Sequence, residues 1–348
     1  MNSAYSLSRK EGWRRFVEAV PRVRPEKLTV KALGALSQDA VEDYNEARCD
    51  WHANFGTIAT PQLTAIRDEL ELIVASNRQD PDRVRGAAVI DGYPGLGKTT
   101  IVNLFGRDFH RAAIRRGGDL TEEGHERIPV FRVGLTSHTT LRTVNQLICR
   151  FYGHPAADRR GNAAELATHA LDCVLKCESR VGIIDDIHFI QHNSADGLAV
   201  SNHLKWLANE LPVTFIYAGV GLGQRRFFEE GLIGADAAFA QSGRRWTRLS
   251  VELFDRDEHW LALVKAIDRQ VVLARHRPGQ LARQAEVLFA RTGGHIGSLM
   301  TLVNRGCFKA VRTGTEALTR ELLDTVRIDE TAEKARRSAS AARGKRAS

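Results

Sequence analysis

Residues 92–99 have the composition and spacing of a loop that binds phosphate groups. They read G-Y-P-G-L-G-K-T, which fits the pattern G-x-x-x-x-G-K-[ST]. In such a loop, glycines let backbone N–H groups point at phosphate oxygens, and the following helix N-terminus adds partial positive charge. We predict that Lys98 reaches the β- and γ-phosphates of a nucleotide and that the Thr99 hydroxyl ligates Mg²⁺. The predicted nucleotide contacts are Gly92, Tyr93, Pro94, Gly95, Leu96, Gly97, Lys98, Thr99 and Thr100.

Two carboxylates follow a short apolar run. Residues 181–184 are Val, Gly, Ile and Ile, and Asp185 and Asp186 come directly after them. This pattern is typical of a buried parallel strand that places acids at its carboxyl end, where ligands bind in open α/β sheets. We predict that Asp185 holds Mg²⁺ and that Asp186 polarises the attacking water. The alternative is a strand that ends at a helix cap, a position that aspartate also suits.

A hydroxyl-rich turn precedes the predicted helix 141–152. It contains Thr136, Ser137, His138, Thr139 and Thr140, and Arg142 lies in the first turn of that helix. Hydroxyl and backbone N–H groups of such a turn can contact a phosphate backbone. They can equally form an ordinary N-cap, and the sequence leaves both interpretations open.

The elements that must position these residues alternate between strand and helix. Apolar runs predict strands at 87–90, 128–135, 181–186, 212–219 and 248–253, and helical spacing predicts helices at 62–76, 101–109, 141–152, 161–179 and 198–210. This alternation indicates an α/β fold with a parallel sheet flanked by helices. After Phe254 only helices are predicted, including 279–291, 296–312 and 316–326, and they indicate a small all-helical lid.

These patterns divide the chain into four regions. We expect a basic N-terminal arm at 1–36, extended or partly helical because Pro21 and Pro25 interrupt it. A nucleotide-binding domain with a helical lead-in follows at 37–254, the lid at 255–328, and a disordered basic tail at 329–348.

Composition excludes several classes of protein. The 348 residues are 43% hydrophobic and 26% charged, within the range of globular proteins. No apolar run of membrane-spanning length and no secretion signal are present, so we expect a cytoplasmic protein with no membrane partner. Five cysteines without CxxC spacing argue against a disulfide framework or a zinc ribbon. The net charge of +8 fits a polyanionic partner.

The motifs together resemble AAA+ ATPases and, among these, the TniB/TnsC family of transposition ATPases. The resemblance covers roughly residues 45–325. It is carried by Trp51, His52, Phe55, Ile58, Thr60 and Pro61 before the first strand, by 92–99 and 183–188, by Gly219 and Val220, by Arg244, Arg245 and Trp246, and by 292–299 in the lid.

The resemblance implies a protein that binds ATP and Mg²⁺ and assembles as a ring or filament on duplex DNA. It implies that the assembly links a target-selection protein to a transposase, with ATP hydrolysis driving disassembly. Arg244 and Arg245 are the candidates for an arginine that reaches the γ-phosphate of a neighbouring subunit. The implied DNA contacts are Thr136, Ser137, His138, Thr139, Thr140 and Arg142, and less firmly Arg111, Arg115 and Arg116.

Three residues depart from the common AAA+ pattern. Asp186 stands where many of these enzymes carry glutamate, and Val220 stands where a polar sensor residue is expected. Ser298 falls near the position in the lid where many AAA+ proteins place an arginine sensor. They imply a slow, switch-like ATPase. Two other functions remain open: a replication initiator or helicase loader that binds DNA, and a signalling nucleotide switch that does not.

Overall fold

The structure is a computed structural model that describes residues 5–80, 83, 85–159, 161–190, 195–222, 246–334 and 336. Arg244 and Arg245, the candidates for the arginine supplied to a neighbour, lie outside the described residues. Residues 335 and 337–348 of the predicted tail also lie outside them.

The chain forms two compact units. The first, the sheet unit, contains residues 1–19 and 62–251, and the second, the helical unit, contains residues 20–61 and 252–348. Residues 37–61, which the sequence pattern assigned to the nucleotide-binding domain, therefore group with the C-terminal helices.

The sheet unit is built on a parallel sheet, as predicted. Five strands are described, and their spatial order is β2-β3-β4-β1-β5. Because all strands run the same way, the ends of β1 and β3 bring Gly92 and Asp185 to one edge of the sheet, here called the carboxyl edge. The strands are β1 (Ala87–Gly92), β2 (Val130–Gly134), β3 (Val181–Asp185), β4 (Thr214–Gly219) and β5 (Trp246–Val251).

Helices flank the sheet and continue after it, which confirms the predicted fold class. In chain order the described α-helices are α1 (Lys10–Glu18), α2 (Val30–Gly34), α3 (Gln38–Ala53), α4 (Pro61–Ser76), α5 (Lys98–Gly117), α6 (Leu141–Tyr152), α7 (Ala163–Lys176), α8 (Ala195–Glu210), α9 (Glu258–Asp268), α10 (Ala285–Thr292), α11 (Ile296–Arg312) and α12 (Arg320–Asp324).

Helix α1 lies within the predicted N-terminal arm and packs against α5. Trp13 is 1% exposed and Val17 is also buried. The indole Nε1 of Trp13 donates a hydrogen bond to His110 Nδ1 at 3.1 Å. A Cβ on Gly106 would lie 3.0 Å from the Trp13 ring, so α1 needs the small residue there. The apolar positions of α1 outweigh its basic composition.

In the helical unit, a buried ion pair ties α3 to the C-terminal segment. Arg48 is 1% exposed, and its two Nη atoms each donate to a Glu316 carboxylate oxygen at 2.6 Å. Trp51 Nε1 donates to the Gln270 carbonyl at 2.8 Å. Such long-range contacts explain why α3 belongs with the C-terminal helices.

Helix α9 of the helical unit begins at a capping aspartate. Asp257 caps α9 by accepting from the backbone N–H groups of His259 and Trp260.

None of the described helices has the length and apolar composition needed to cross a membrane. The cysteines are free thiols. The hydrophobic core of the helical unit includes Trp260, Leu263, Leu299, Leu302 and Val303.

Candidate nucleotide-binding site

The loop between β1 and α5 needs its glycines for two physical reasons. Gly95 and Gly97 have φ values of +75° and +87°, a region that favours glycine. Gly92 has no room for a side chain, because a Cβ would lie 2.3 Å from the Val251 carbonyl oxygen. The loop is thus both tightly turned and packed against β5.

Helix α5 begins directly after this loop with its first turn uncapped. Gly97 is the N-cap residue, and no side chain among the described residues caps the helix there. Thr99 and Thr100 are exposed at this end. The unpaired N–H groups and the positive end of the helix dipole form an anion site, which a phosphate fits.

The Lys98 ammonium is held by the loop itself. The side chain is 8% exposed, and Nζ donates to the carbonyls of Gly92 at 2.8 Å and Tyr93 at 2.6 Å. Burial lowers the pKa of Lys98 below its usual 10.5, while the Asp91 and Asp185 carboxylates act in the opposite direction. A cation is therefore fixed beside the anion site.

Asp185 lies opposite the start of α5 and brings two oxygen donors together. The residue is 3% exposed, and its Oδ1 accepts from the Thr99 hydroxyl at 3.3 Å and from the Asp186 N–H at 3.0 Å. Carboxylate and hydroxyl oxygens are ligands that suit Mg²⁺. The residues present thus fit the expected metal, which Thr99 and Asp185 would hold.

Arg132 on β2 is a component of the site that the sequence did not indicate as functional. Its Nη2 donates to the second Asp185 oxygen, Oδ2, at 2.7 Å. Its Nε donates to Asn103 Oδ1 at 3.0 Å, and Nη1 donates to Ser8 Oγ at 3.3 Å. The available signal was a charged residue inside the apolar run 130–133. Arg132 fixes the orientation of the Asp185 carboxylate.

Asp186 lies next to this cluster with its side chain half exposed. Its backbone is left-handed, with φ of +59°, and the side chain is 50% exposed. Burial, followed by the nearby Asp185 charge, raises the pKa of Asp186 above its usual value of 3.8. His188 Nδ1 lies 3.9 Å from Asp186 Oδ1. This carboxylate is accessible to a water molecule, as its predicted role requires.

Asp91 at the end of β1 is a second component that the sequence analysis missed. It is 2% exposed, and its Oδ1 accepts from the backbone N–H groups of Gly92 at 2.8 Å and Leu222 at 2.9 Å. Its Oδ2 accepts from Arg248 Nη2 at 2.7 Å. The available signal was a single acid ending an apolar strand. Asp91 connects the phosphate loop to β5 and to the segment after β4.

The predicted sensor positions offer no polar side chain at the end of β4. Among the described residues that end this strand, Ala218, Gly219 and Val220 carry none. In the helical unit, Ser298 Oγ donates to Asp329 Oδ2 at 2.6 Å.

The hydroxyl-rich turn after β2 shows the capping contacts that were one of its two interpretations. The Thr136 N–H donates to Thr139 Oγ1 at 2.9 Å, and Thr140 Oγ1 accepts from the Thr143 N–H at 3.2 Å. Ser137 and His138 are exposed at the same edge of the sheet. Capping leaves these two side chains available for other contacts.

Two of the predicted DNA-binding arginines have partners within the sheet unit. Arg142 Nε donates to the Gly161 carbonyl at 3.1 Å. Arg111 Nε donates to the Val17 carbonyl at 2.6 Å, which ties α5 to α1. Arg115 and Arg116 are exposed at the far end of α5, remote from the turn after β2.

The strand order, the phosphate loop and the acid-ended strand define the AAA+ P-loop fold, with a helical region after the sheet. Residues 82–226 match the protein family described as AAA domain. This range contains the phosphate loop, Asp185 and Asp186. No curated protein sequence matches the chain.

Solved structures of ORC and Cdc6 proteins share this fold. The ORC1 protein of Aeropyrum pernix in complex with DNA is similar with a TM-score of 0.58 and 15% identity, over 79% of this chain and 67% of that one. The ORC2 protein of the same organism has a TM-score of 0.58 and 16% identity, over 78% of this chain and 69% of that one. Cdc6p from Pyrobaculum aerophilum has a TM-score of 0.55 and 12% identity, over 78% of this chain and 69% of that one. At these identities the similarity establishes the AAA+ fold and not the narrower TniB/TnsC family.

Proposed function

We propose that the protein is a slow, switch-like ATPase that assembles on duplex DNA and regulates DNA transposition. The observation that supports ATP hydrolysis most directly is the convergence of Lys98, Thr99, Asp185 and Asp186 at the carboxyl edge of the sheet. The loop and α5 place an anion site beside a fixed ammonium, and the two aspartates face it. These groups are the components that phosphoryl transfer requires.

Each side chain has one role in this proposal. The loop amides and Lys98 bind the β- and γ-phosphates, and Thr99 and Asp185 hold Mg²⁺, which offsets phosphate charge when bound. Arg132 keeps one Asp185 oxygen turned away from Thr99. Asp186 orients the attacking water and accepts its proton. Its short side chain and the apolar end of β4 position that water poorly, which favours slow turnover.

Assembly on duplex DNA is proposed from charge and from the exposed turn after β2. The chain has a net charge of +8, and Ser137 and His138 are exposed beside the nucleotide site. The related fold of Aeropyrum pernix ORC1 was solved with DNA. Contacts of this kind grip phosphates with little sequence preference. ATP binding would favour the assembled state, and hydrolysis would release it.

Fluorescence anisotropy with random duplex DNA and a non-hydrolysable ATP analogue tests DNA binding. We expect affinity to fall more than about 10-fold between about 50 and 200 mM salt, because phosphate contacts release counterions. The double variant Ser137→Asp/His138→Asp should lose binding, whereas the exposed control Lys176→Glu should not. Binding without salt dependence, or equal binding by both variants, would contradict the proposal.

The link to transposition rests on the TniB/TnsC resemblance and has its own test. In a strand-transfer assay with a transposase and a target-selection protein, we expect the chain and ATP to be required for directed insertion. A replication initiator or loader is the second candidate, favoured by the ORC and Cdc6 structures that share the fold. Selective binding to a replication origin, with no effect on strand transfer, would support that candidate.

A further inference from the structure

A cleft of about 790 Å³ opens at the amino edge of the sheet, the edge opposite the nucleotide site. Its walls come from the residues that precede four of the strands and from the C-terminal ends of α4, α5 and α7. The volume lies within the range of about 300–1,000 Å³ that is usual for ligand sites. We call it the arginine cleft, because five arginines line it: Arg78, Arg85, Arg116, Arg127 and Arg180.

Two of these arginines stabilise the fold. Arg127 Nη1 donates to the Gly117 carbonyl at the end of α5, and its Nη2 pairs with Glu178 at 2.9 Å. Arg85 Nε donates to the Asn77 carbonyl at 3.3 Å, just after α4. These contacts satisfy carbonyl groups at helix ends, where cations are favourable.

The other three arginines have no such role. Arg78, Arg116 and Arg180 are exposed, and none has a side-chain hydrogen bond or ion pair among the residues that the structure describes. With Glu122 and Glu178 as the acids of the lining, the five arginines give the cleft a formal charge of +3. A concave surface with one sign of charge concentrates its field on a ligand of the opposite sign.

Apolar side chains also line the arginine cleft. Leu175 is 49% exposed, and Val74, Phe109 and Pro212 also line the cleft. A phosphate backbone offers nothing for these apolar surfaces to cover. A peptide that alternates carboxylates with apolar residues matches both kinds of surface, and guanidinium groups bind carboxylates bidentately.

We propose that the arginine cleft binds an acidic, partly apolar segment of a partner protein. Arg78, Arg116 and Arg180 pair with its carboxylates, and Leu175 packs against its apolar side chains. The cleft is separated from the phosphate loop by the length of the strands, roughly 17 Å. Partner binding through this surface therefore needs no nucleotide and goes beyond the proposed ATPase activity.

The test measures binding of a short fluorescein-labelled peptide, with alternating glutamate and leucine, to the full chain. We expect the triple variant Arg78→Gln/Arg116→Gln/Arg180→Gln to weaken binding at least about 10-fold, equivalent to about 1.4 kcal/mol, since it removes the three guanidinium groups that pair with the peptide. The control Arg275→Gln/Arg277→Gln/Arg312→Gln removes the same charge from the helical unit and should bind normally. Leu175→Gln should weaken binding, and the glutamine version of the peptide should not bind.

The outcomes separate this proposal from the alternatives. Equal peptide binding by the triple variant and its control would overturn it, and so would equal binding of the glutamate and glutamine peptides. A triple variant that keeps peptide affinity and loses duplex DNA affinity would assign the cleft to nucleic acid instead. ATP turnover of the triple variant should be unchanged, so a failure here is distinguishable from a failure of the ATPase proposal.

Discussion

Charged residues lie at both edges of the sheet, but three arginines at the amino edge differ from the charges of the nucleotide site in having no partner inside the described part of the fold. At the carboxyl edge, Asp185 pairs with Arg132, Asp91 pairs with Arg248, and Lys98 donates to loop carbonyls. At the amino edge, Arg78, Arg116 and Arg180 have no side-chain partner among the described residues.

This difference separates two ways of preparing a binding surface. Paired charges at the carboxyl edge are held in fixed positions, which suits a ligand of defined shape and a reaction that depends on orientation. Arg78, Arg116 and Arg180 at the amino edge are exposed to solvent, which suits a partner that brings its own charges. Binding at the carboxyl edge should therefore depend on the shape of the ligand, and binding at the amino edge should depend on its charge.

The largest expected effect is at Lys98. We predict that Lys98→Ala reduces ATP turnover by about 1,000-fold and abolishes nucleotide-dependent assembly, because no other side chain of the described loop supplies a cation to the phosphates. Steady-state phosphate release and light scattering with ATP measure the two effects. The matched change at the amino edge, Lys176→Ala, should alter neither. Normal turnover and assembly by Lys98→Ala would contradict the role given to Lys98.

Asp186 gives the next largest effect and separates binding from turnover. We predict that Asp186→Asn lowers turnover about 100-fold while ATP affinity is kept, because the amide cannot accept a proton from water. Calorimetric titration with ATP and phosphate release check the two properties. Asp186→Glu, with its longer side chain, should turn over faster than the natural protein. Loss of ATP binding in Asp186→Asn would contradict this role.

Arg132 tests whether pairing at the carboxyl edge supports the fold. Arg132→Gln leaves the buried Asp185 carboxylate without its cation, and we predict a loss of about 3 kcal/mol in the free energy of unfolding. Urea unfolding measures it, and saturating Mg²⁺ and ATP should restore part of the loss. The control Arg67→Gln breaks the half-exposed pair with Asp108 and should cost less than about 1 kcal/mol. Equal losses would contradict the account.

A smaller loss of stability is expected at low pH, and the residues that cause it lie at neither edge of the sheet. Burial lowers the pKa of His52 to about 3 and those of His110 and His203 to about 4, from a usual 6.5. These rings stay neutral in the folded chain but take up protons when it unfolds, so stability is full above pH 6.5 and declines as pH falls toward 4. Thermal unfolding across this range should show the decline in the natural protein and in the triple arginine variant alike. A midpoint that is constant from pH 6.5 to 4 would contradict this prediction.

Local patterns predicted the strands and the phosphate loop well, because both depend on neighbouring residues. Helix α6 has the predicted bounds, and β3 ends at Asp185, one residue before the predicted end. Gly92 and Gly97 are the two fixed glycines of the motif, and local geometry requires both, Gly92 because of the close Val251 carbonyl and Gly97 because of its positive φ. The fold class followed from the alternation of these elements.

The contacts that the sequence did not reveal depend on residues that are distant in the chain. The pairing of Arg132 with Asp185 follows from β2 lying beside β3, and that of Asp91 with Arg248 from β5 lying beside β1. Trp13 is buried because α1 packs against α5. The arginine cleft exists only because residues before different strands meet at one edge. None of these neighbours can be deduced from periodicity.

Electron microscopy of the chain with duplex DNA and a non-hydrolysable ATP analogue shows whether nucleotide at the carboxyl edge controls assembly. We predict rings or filaments on DNA with the analogue, and none without it or with Lys98→Ala. The double variant Arg78→Gln/Arg180→Gln should assemble normally. Monomers in every condition, or assembly that does not depend on nucleotide, would contradict nucleotide control of assembly.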